Sequence, residues 1–221
     1  MLRDTERNER YRVAIERMVR PGDRVLDIGT GTGLLAMIAA RAGAAHVWTC
    51  EAVPALADMA RDVIALNGLA DRITVIAKRS TDLDPVADLG GPVDALISEV
   101  IASDIIGENM LPTVQDAAHR LLKPGGPMLP LGGDVVIALA DVPRLDPFTI
   151  EACGFDLSPL GHLGARPRLV KADEEDAVLR SAPVDLYRFD FTRGGDWGNV
   201  RTSRHLVADG GRVNGVLMWM R

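Results

Sequence analysis

The chain has 221 residues, of which 47% are hydrophobic and 25% are charged, and its net charge is −6 with a pI near 5.2. This length suits one large globular domain or two modest ones, with enough chain for a real core. The acidic balance argues against a nucleic-acid binder. It suits a cationic substrate or, more commonly, simple solubility.

Cysteine content and apolar runs indicate the compartment. Cys50 and Cys153 are too few for a disulfide framework, so we interpret both as free thiols in a reducing compartment. Residues 1–10 are rich in charge and contain no apolar signal region, and apolar stretches such as 34–40 are far too short to span a membrane. We therefore predict a cytoplasmic protein with no membrane contact, and the spacing of His, Cys, Asp and Glu predicts no metal site.

Strands alternate with helices over the first 130 residues. Apolar periodicity and Gly/Pro boundaries predict helices at 1–20, 34–42, 54–66 and 109–122, and strands at 24–28, 46–50, 73–77, 93–98 and 127–131. This order is typical of βαβ units in a doubly wound, Rossmann-like, mostly parallel sheet.

The pattern changes after Pro130. β-prone runs at 134–139, 184–191 and 213–219 lack helical crossovers, and only 174–180 has a helical pattern. We predict an α/β domain over 1–130 and an antiparallel β domain over 131–221. Because the sequence stops just after an apolar strand, we also expect a truncated chain.

A glycine-rich turn joins the first strand to the next helix, with the sequence Asp27-Ile-Gly29-Thr-Gly31-Thr-Gly33. Glycines allow a ligand to approach the backbone, and the next helix presents its N-terminus. The third glycine comes two residues after the second, whereas a dinucleotide turn has three. The acid at Asp27 would repel a pyrophosphate and suits a ligand that carries an ammonium group.

A second acid, Glu51, follows the second strand, where carboxylates accept hydrogen bonds from ribose hydroxyls. The turn and Glu51 together favour S-adenosylmethionine, which has a ribose and an amino-acid end but no phosphate. The alternative is a tight strand-to-helix turn that binds no ligand.

Two glutamates, Glu99 and Glu108, bracket a loop after the fourth strand. Carboxylates are strongly hydrated, so a pair at the end of a core strand suits a fork-shaped cation such as a guanidinium. Taken alone, the pair is weak evidence for such a site, because solvated loop acids are more common.

With these residues in view, the chain resembles the protein arginine methyltransferases. The resemblance covers nearly the whole chain and runs through residues 1–8 with Tyr11, 25–33, 42–44, Glu51, 78–81, the double-glutamate loop, 122–126, Pro130 and 154–158. It implies a β-barrel, complete or incomplete, as the substrate domain, with a dimerisation-arm-like segment at about 150–180 and therefore a homodimer.

The resemblance also implies a role for each site residue. Glu99 and Glu108 would bind the substrate guanidinium as the catalytic pair. The residues implied to bind S-adenosylmethionine, with S-adenosylhomocysteine as its product, are Arg7 for the carboxylate, Asp27, Gly29, Gly31 and Gly33 for the methionine end, Glu51 for the ribose, and Ser80 and Thr81 beside the adenine.

The chain also departs from the family pattern. The family's aromatic-rich helix before Met1 and its Thr-His-Trp loop after Arg221 are missing. The glutamate loop lacks the aromatic residue of the asymmetric dimethylating enzymes, and its end is closer to the monomethylating branch, although Ala102 stands where that branch has an acid. The sequence therefore leaves the product type open.

Three functions fit these features. The first is methylation of the guanidinium of arginine, in a protein, in a peptide or as the free amino acid. The second is methylation of another protein or small molecule on the same fold, since the fold does not fix the acceptor. The third is a non-catalytic subunit that binds the cofactor and a partner.

Overall fold

The structure is a computed structural model, and it describes residues 2–100, 110–142, 151–159, 177–192 and 201–221. The chain forms two compact units, of which the first contains residues 1–133 and 188–201 and the second contains 134–187 and 202–221. Assignment of separate functions to domains with a boundary near 130 stays a prediction.

The first unit contains a five-stranded parallel sheet with strand order β3-β2-β1-β4-β5. Its elements in chain order are α1 (Thr5–Met18), β1 (Arg24–Ile28), α2 (Leu34–Arg41), β2 (His46–Cys50), α3 (Pro54–Leu66), β3 (Ile73–Ile76), a 3-10 turn (Ser80–Asp82), β4 (Ala95–Ser98), α4 (Met110–Arg120) and β5 (Met128–Leu129). The predicted doubly wound, Rossmann-like sheet is confirmed.

Burial explains why these strands are apolar throughout. In β1, Val25 and Leu26 are fully buried, and all four residues of β4 are buried, as expected for a parallel sheet that is covered on both faces. Ile15 of α1 and Leu35 of α2 pack in one core cluster with Val25. Helix packing of this kind fixes the sheet and, with it, the positions of the strand ends.

The second unit is antiparallel. The strands that lie wholly or mostly in it are β6 (Gly132–Asp141), β7 (Glu151–Ala152), β8 (Phe155–Asp156), β9 (Val178–Leu179), β10 (Val184–Asp190) and β11 (Gly215–Met220). β6 pairs with β10, β11 and β9, while β7 and β8 form a separate hairpin. The predicted antiparallel region is confirmed, whereas its closure into a barrel and the arm-like role of 150–180 stay predictions. Most of that arm-like segment lies outside the described residues.

Local interactions explain where the elements differ from the sequence prediction. The first helix begins at Thr5 because the Asp4 side chain accepts a hydrogen bond from the backbone N–H of Arg7 (3.0 Å) as an N-cap. The prediction of a helix at 174–180 is wrong for its described part, since Val178 and Leu179 pair with β6. Hydrogen bonds at a sheet edge outweigh local helix propensity there.

No helix among the residues described is long and apolar enough to cross a membrane.

Arg24 joins β1 to the loop before β4. Its guanidinium donates to the carbonyl oxygens of Leu89, Gly91 (3.2 Å) and Pro92 (3.3 Å), and it lies 4.9 Å from the ring centroid of Trp48. These hydrogen bonds satisfy carbonyl groups of the loop, which lie outside the sheet, and the contact with Trp48 adds a cation–π interaction.

We expect Arg24→Gln to lower the free energy of unfolding by about 1–3 kcal/mol, because a guanidinium that serves three carbonyls is lost. Urea denaturation measures the change. Arg12→Gln is the control, since the Arg12 ion pairs with Glu9 and Glu16 lie at the surface, where solvent screens them, and their loss should change stability much less. Equal effects of the two substitutions would contradict the assigned role of Arg24.

Candidate active site

The parallel strands end together, and this register assembles the site. Ile28 at the end of β1 pairs with Cys50 of β2 on one side and with Ser98 of β4 on the other. Gly29, Glu51 and Glu99 are the next residues of those three strands. They therefore lie at one carboxyl edge of the sheet, where doubly wound folds bind their ligands.

The glycine turn approaches its neighbours too closely for side chains. Gly29 has φ +86°, and a Cβ at this position would lie 2.7 Å from Cγ1 of Val100. The backbone N–H of Gly29 donates to the carbonyl of Cys50 (3.0 Å), which fixes the turn against β2. Gly33 has φ +79° and forms the N-cap of α2, whose N-terminus opens at the end of the turn.

Asp27 is a buried carboxylate beneath this turn, and only 1% of it is exposed. Its Oδ2 accepts a hydrogen bond from the Thr49 hydroxyl (2.8 Å), which also contacts the Thr30 hydroxyl (2.7 Å). Its Oδ1 has no hydrogen-bond partner among the described residues. Burial, with help from the charges of Glu99 and Glu51 and against the Thr49 hydrogen bond, raises the pKa of Asp27 to about 7.

Glu51 holds two backbone N–H groups in the structure. Its Oε2 accepts from Gly31 (3.1 Å) and its Oε1 accepts from Val53 (3.0 Å), which precedes α3. The carboxylate thus links the glycine turn to the start of the next helix. In this position it also lines an open cleft beside the sheet edge.

The cleft has a volume of about 530 Å³ and contains several of the predicted cofactor residues. Its lining residues are Ile28, Gly29, Cys50, Glu51, Ala52, Lys78, Arg79, Ser80, Thr81, Val100, Pro112 and Thr113. Ser80 is nearly buried and Thr81 is exposed in the 3-10 turn after β3. Arg7, Asp27, Gly31, Gly33 and Glu99 do not line this cleft.

Arg7 and Glu99 form an ion pair. Nη2 of Arg7 binds Oε1 of Glu99, and the two side chains are 24% and 14% exposed. The Arg7 guanidinium also donates to Oδ1 of Asn8 (3.1 Å) and lies 5.1 Å from the ring centroid of Tyr11. Burial, followed by the charge of Glu99, raises the pKa of Tyr11 to about 12, so this phenol stays protonated beside the pair.

Glu108 lies outside the described residues. Of the predicted catalytic pair, the structure therefore describes only Glu99, which it brings beside the predicted cofactor ligand Arg7. The binding roles of all these residues stay predictions.

Sequence reasoning missed two groups at the site. Thr49 and Thr30 support Asp27, and the only sequence signal was a polar residue next to the end of a buried strand. Pro112 and Thr113, in the first turns of α4, form part of the cleft wall. No local pattern could reveal them, because they meet the cleft through tertiary packing.

The raised pKa of Asp27 predicts a pH-dependent stability. Between about pH 4 and pH 7 Asp27 binds a proton in the folded state that it has lost in the unfolded chain, so the contribution of Asp27 to stability is fully present below about pH 4 and is lost as pH rises to about 7. We expect the free energy of unfolding to fall by on the order of 2–4 kcal/mol across this window. Asp27→Asn, which stays neutral, should remove this fall, as urea denaturation at several pH values would measure.

The control for Asp27 is Asp71→Asn, which neutralises an exposed carboxylate and should leave the pH profile as in the wild type. A profile that Asp27→Asn does not change would contradict the buried, proton-binding state of Asp27.

Comparison with known families gives a match over more than half of the chain. The family model for ribosomal protein L11 methyltransferase (PrmA) matches residues 13–132. This range contains the parallel sheet, the glycine turn and Glu99.

Curated relatives carry arginine methyltransferase names. The chain is 44% identical over 223 residues to an arginine N(omega)-methyltransferase of Streptomyces achromogenes subsp. streptozoticus, covering 99% of this chain and 62% of the relative. It is 40% identical to protein arginine N-methyltransferase 7 of Aedes aegypti and 34% identical to that of Oryza sativa subsp. indica, covering 99% of this chain and 35% and 34% of those proteins. The chain therefore spans only part of the relatives that it matches.

Solved structures agree with these names. The chain matches the PRMT1 enzyme–prozyme heterotetrameric complex of Trypanosoma brucei with AdoHcy at a TM-score of 0.74 and 27% identity, covering 89% of this chain and 62% of that one. It matches protein arginine methyltransferase 10 of Arabidopsis thaliana at 0.68 and 27%, covering 87% and 61%. The chain therefore belongs to the methyltransferase family that the PrmA model describes, and it is homologous to the arginine N-methyltransferases.

Proposed function

We propose that the chain is the catalytic part of an S-adenosylmethionine-dependent arginine N-methyltransferase. The observation that carries this proposal is the ion pair between Glu99 and Arg7, since it places a guanidinium on the carboxylate that we assign to the substrate. The homology to arginine N-methyltransferases supports the same acceptor.

The residues at the sheet edge fit this cofactor. The backbone at Gly29 leaves no room for a side chain. Beneath the turn, Asp27 has a buried oxygen with no hydrogen-bond partner among the described residues. A ligand with an ammonium group and a ribose suits an edge that carries Asp27 and Glu51. We assign Arg7, Asp27, Gly29, Gly31 and Gly33 to its methionine end, Glu51 to the ribose, and Ser80 and Thr81 to the adenine.

When bound, S-adenosylmethionine supplies an electrophilic methyl group on a sulfonium. Glu99 holds the acceptor guanidinium by hydrogen bonds, so that one terminal nitrogen is free to react. Because the pKa of arginine is above about 12, the nitrogen cannot be deprotonated beforehand. The site therefore acts by alignment and by stabilising charge as the lone pair leaves conjugation. We assign Glu108 to the same task on the basis of the sequence alone.

Two alternatives each have one supporting observation. The PrmA model carries the name of a ribosomal protein methyltransferase, which favours a different protein acceptor. The Trypanosoma brucei complex pairs an enzyme with a prozyme, which favours a partner subunit that binds cofactor without transfer. Assays with radiolabelled methyl groups on free arginine, an Arg-Gly-rich peptide and ribosomal protein separate all three functions.

We further propose the division of labour and the setting of the protein. Residues 1–130 would bind the cofactor, and 131–221 would form the β-barrel-type substrate domain, with a homodimer built through the arm-like segment. Free Cys50 and Cys153 suit a cytoplasmic location.

We expect Glu51→Ala to weaken binding of S-adenosylhomocysteine by on the order of 10- to 100-fold, because the ribose loses a charged hydrogen-bond acceptor. Titration calorimetry measures the dissociation constant. Glu16→Ala, at an exposed glutamate of α1, is the matched control and should bind as the wild type does. An unchanged affinity in Glu51→Ala would count against the ribose assignment.

We expect Glu99→Gln and Glu108→Gln each to lower kcat by on the order of 100-fold or more, since each removes a charge from the guanidinium site. The affinity for S-adenosylhomocysteine should change much less than kcat. Methyl transfer to arginine and calorimetry on the same samples measure both quantities. Near wild-type turnover in both variants would refute the guanidinium site.

A further inference from the structure

Arg120, near the end of α4, reaches from that helix to the 3-10 turn that borders the cleft. Its Nη1 donates to the carbonyl of Leu83 (2.8 Å), and its Nη2 donates to the carbonyls of Ser80 (3.3 Å) and Thr81 (3.3 Å). One guanidinium thus serves three backbone acceptors in a segment of four residues.

Asp116, one helical turn earlier, holds this guanidinium in a bidentate ion pair. Its Oδ1 accepts from Nε of Arg120 and its Oδ2 accepts from Nη2, both at 2.6 Å. The two side chains are 35% and 28% exposed. The ion pair orients the guanidinium, so that its remaining N–H groups are directed at the carbonyls of the turn.

The segment after β3 needs this support. The 3-10 turn is only three residues long, and Leu83 after it is already extended. The Ser80 carbonyl accepts one long backbone hydrogen bond, from the N–H of Leu83 (3.3 Å), and these carbonyls lie outside the strand ladders. Such carbonyls at a helix end are satisfied by side chains or by water. A guanidinium donor fixes both the position of the turn and the direction of its carbonyls.

The same two elements form two parts of the cleft wall. Ser80 and Thr81 line it from the turn, and Pro112 and Thr113 line it from α4. Arg120 lies on α4 and binds the turn, so it ties these two parts of the wall together.

We propose that Arg120 is a positioning residue that sets the width of the adenine end of the cofactor cleft. This inference rests on the proposed function, because it takes the cleft to be the S-adenosylmethionine site. It assigns the contact a specific effect: cofactor affinity depends on Arg120 through the adenosine part of the ligand and not through its amino-acid part.

A purely structural role makes a different prediction. An i,i+4 ion pair on a helix contributes little to stability. Such a pair would affect unfolding without any preference for a ligand, and a lysine would replace the arginine well. The fork of Arg120 reaches three carbonyls, which a single ammonium cannot do.

The test compares two ligands on the same variants. S-adenosylhomocysteine has both ends, whereas 5′-methylthioadenosine has the adenosine end and lacks the amino acid. We expect Arg120→Gln to raise the dissociation constants of both ligands by about tenfold, the loss expected for one or two charged hydrogen bonds. Arg7→Gln should weaken only S-adenosylhomocysteine, because its assigned partner is the missing carboxylate.

Steady-state kinetics and two further variants test the same role of Arg120. With saturating acceptor and varied S-adenosylmethionine, Arg120→Gln should raise KM for the cofactor and keep kcat within about twofold, the pattern of a lost uniform binding interaction. Arg72→Gln is the matched control, since Arg72 donates to the carbonyl of Ala44 (2.7 Å), before the amino end of β2, and does not line the cleft. Arg120→Lys keeps the charge but should still show most of the loss of ligand affinity that we expect of Arg120→Gln.

The outcomes are distinct. If Arg120→Gln binds both ligands within about twofold of the wild type, or if Arg120→Lys restores full affinity, the inference is wrong. Should Arg120→Gln fail to fold, Arg120→Lys alone decides, because it must still show weaker binding of 5′-methylthioadenosine. A wild type that binds no S-adenosylhomocysteine overturns the proposed cofactor together with this inference, while cofactor binding without transfer to arginine overturns only the proposed acceptor.

Discussion

The common end point of the parallel strands is the constraint on which the site depends. Because both faces of the sheet are buried, the register between β1, β2 and β4 is fixed, and Ile28 lies beside Cys50 and Ser98. Residues far apart in sequence then leave the sheet at one edge. A shift of β2 by one residue would turn Glu51 to another face, and the glycine turn would lose the carbonyl of Cys50 that holds it.

Bringing Asp27, Glu51 and Glu99 to one edge is electrostatically costly, and the structure offsets the cost in three ways. Asp27 is buried and its pKa is raised to about 7, so it is partly neutral near physiological pH. Glu51 accepts two backbone N–H groups, and Glu99 pairs with the guanidinium of Arg7. Under the proposed function, a cationic cofactor and a guanidinium substrate would supply positive charge to the same three carboxylates.

The sequence predicted the features that local pattern controls. The limits of β1, β2 and α3 agree with prediction, because buried runs and Gly/Pro boundaries decide them. The helix predicted at 174–180 failed, since pairing with β6 is a long-range interaction. The acids at the strand ends were found because each directly follows a recognisable strand. The contact of Arg120 on α4 with the carbonyl of Leu83 was not found, because it is again a long-range interaction.

The Arg7–Glu99 pair has a further consequence under the proposed function. A buried or half-buried charge that loses its partner costs several kcal/mol, so substrate cannot simply evict Arg7 from Glu99. The exchange is balanced only if Arg7 meets another anion as the substrate guanidinium reaches Glu99. The cofactor carboxylate assigned to Arg7 is that anion, and the net change is then one ion pair replaced by two. The charges themselves therefore favour a site in which the cofactor is bound before the acceptor enters.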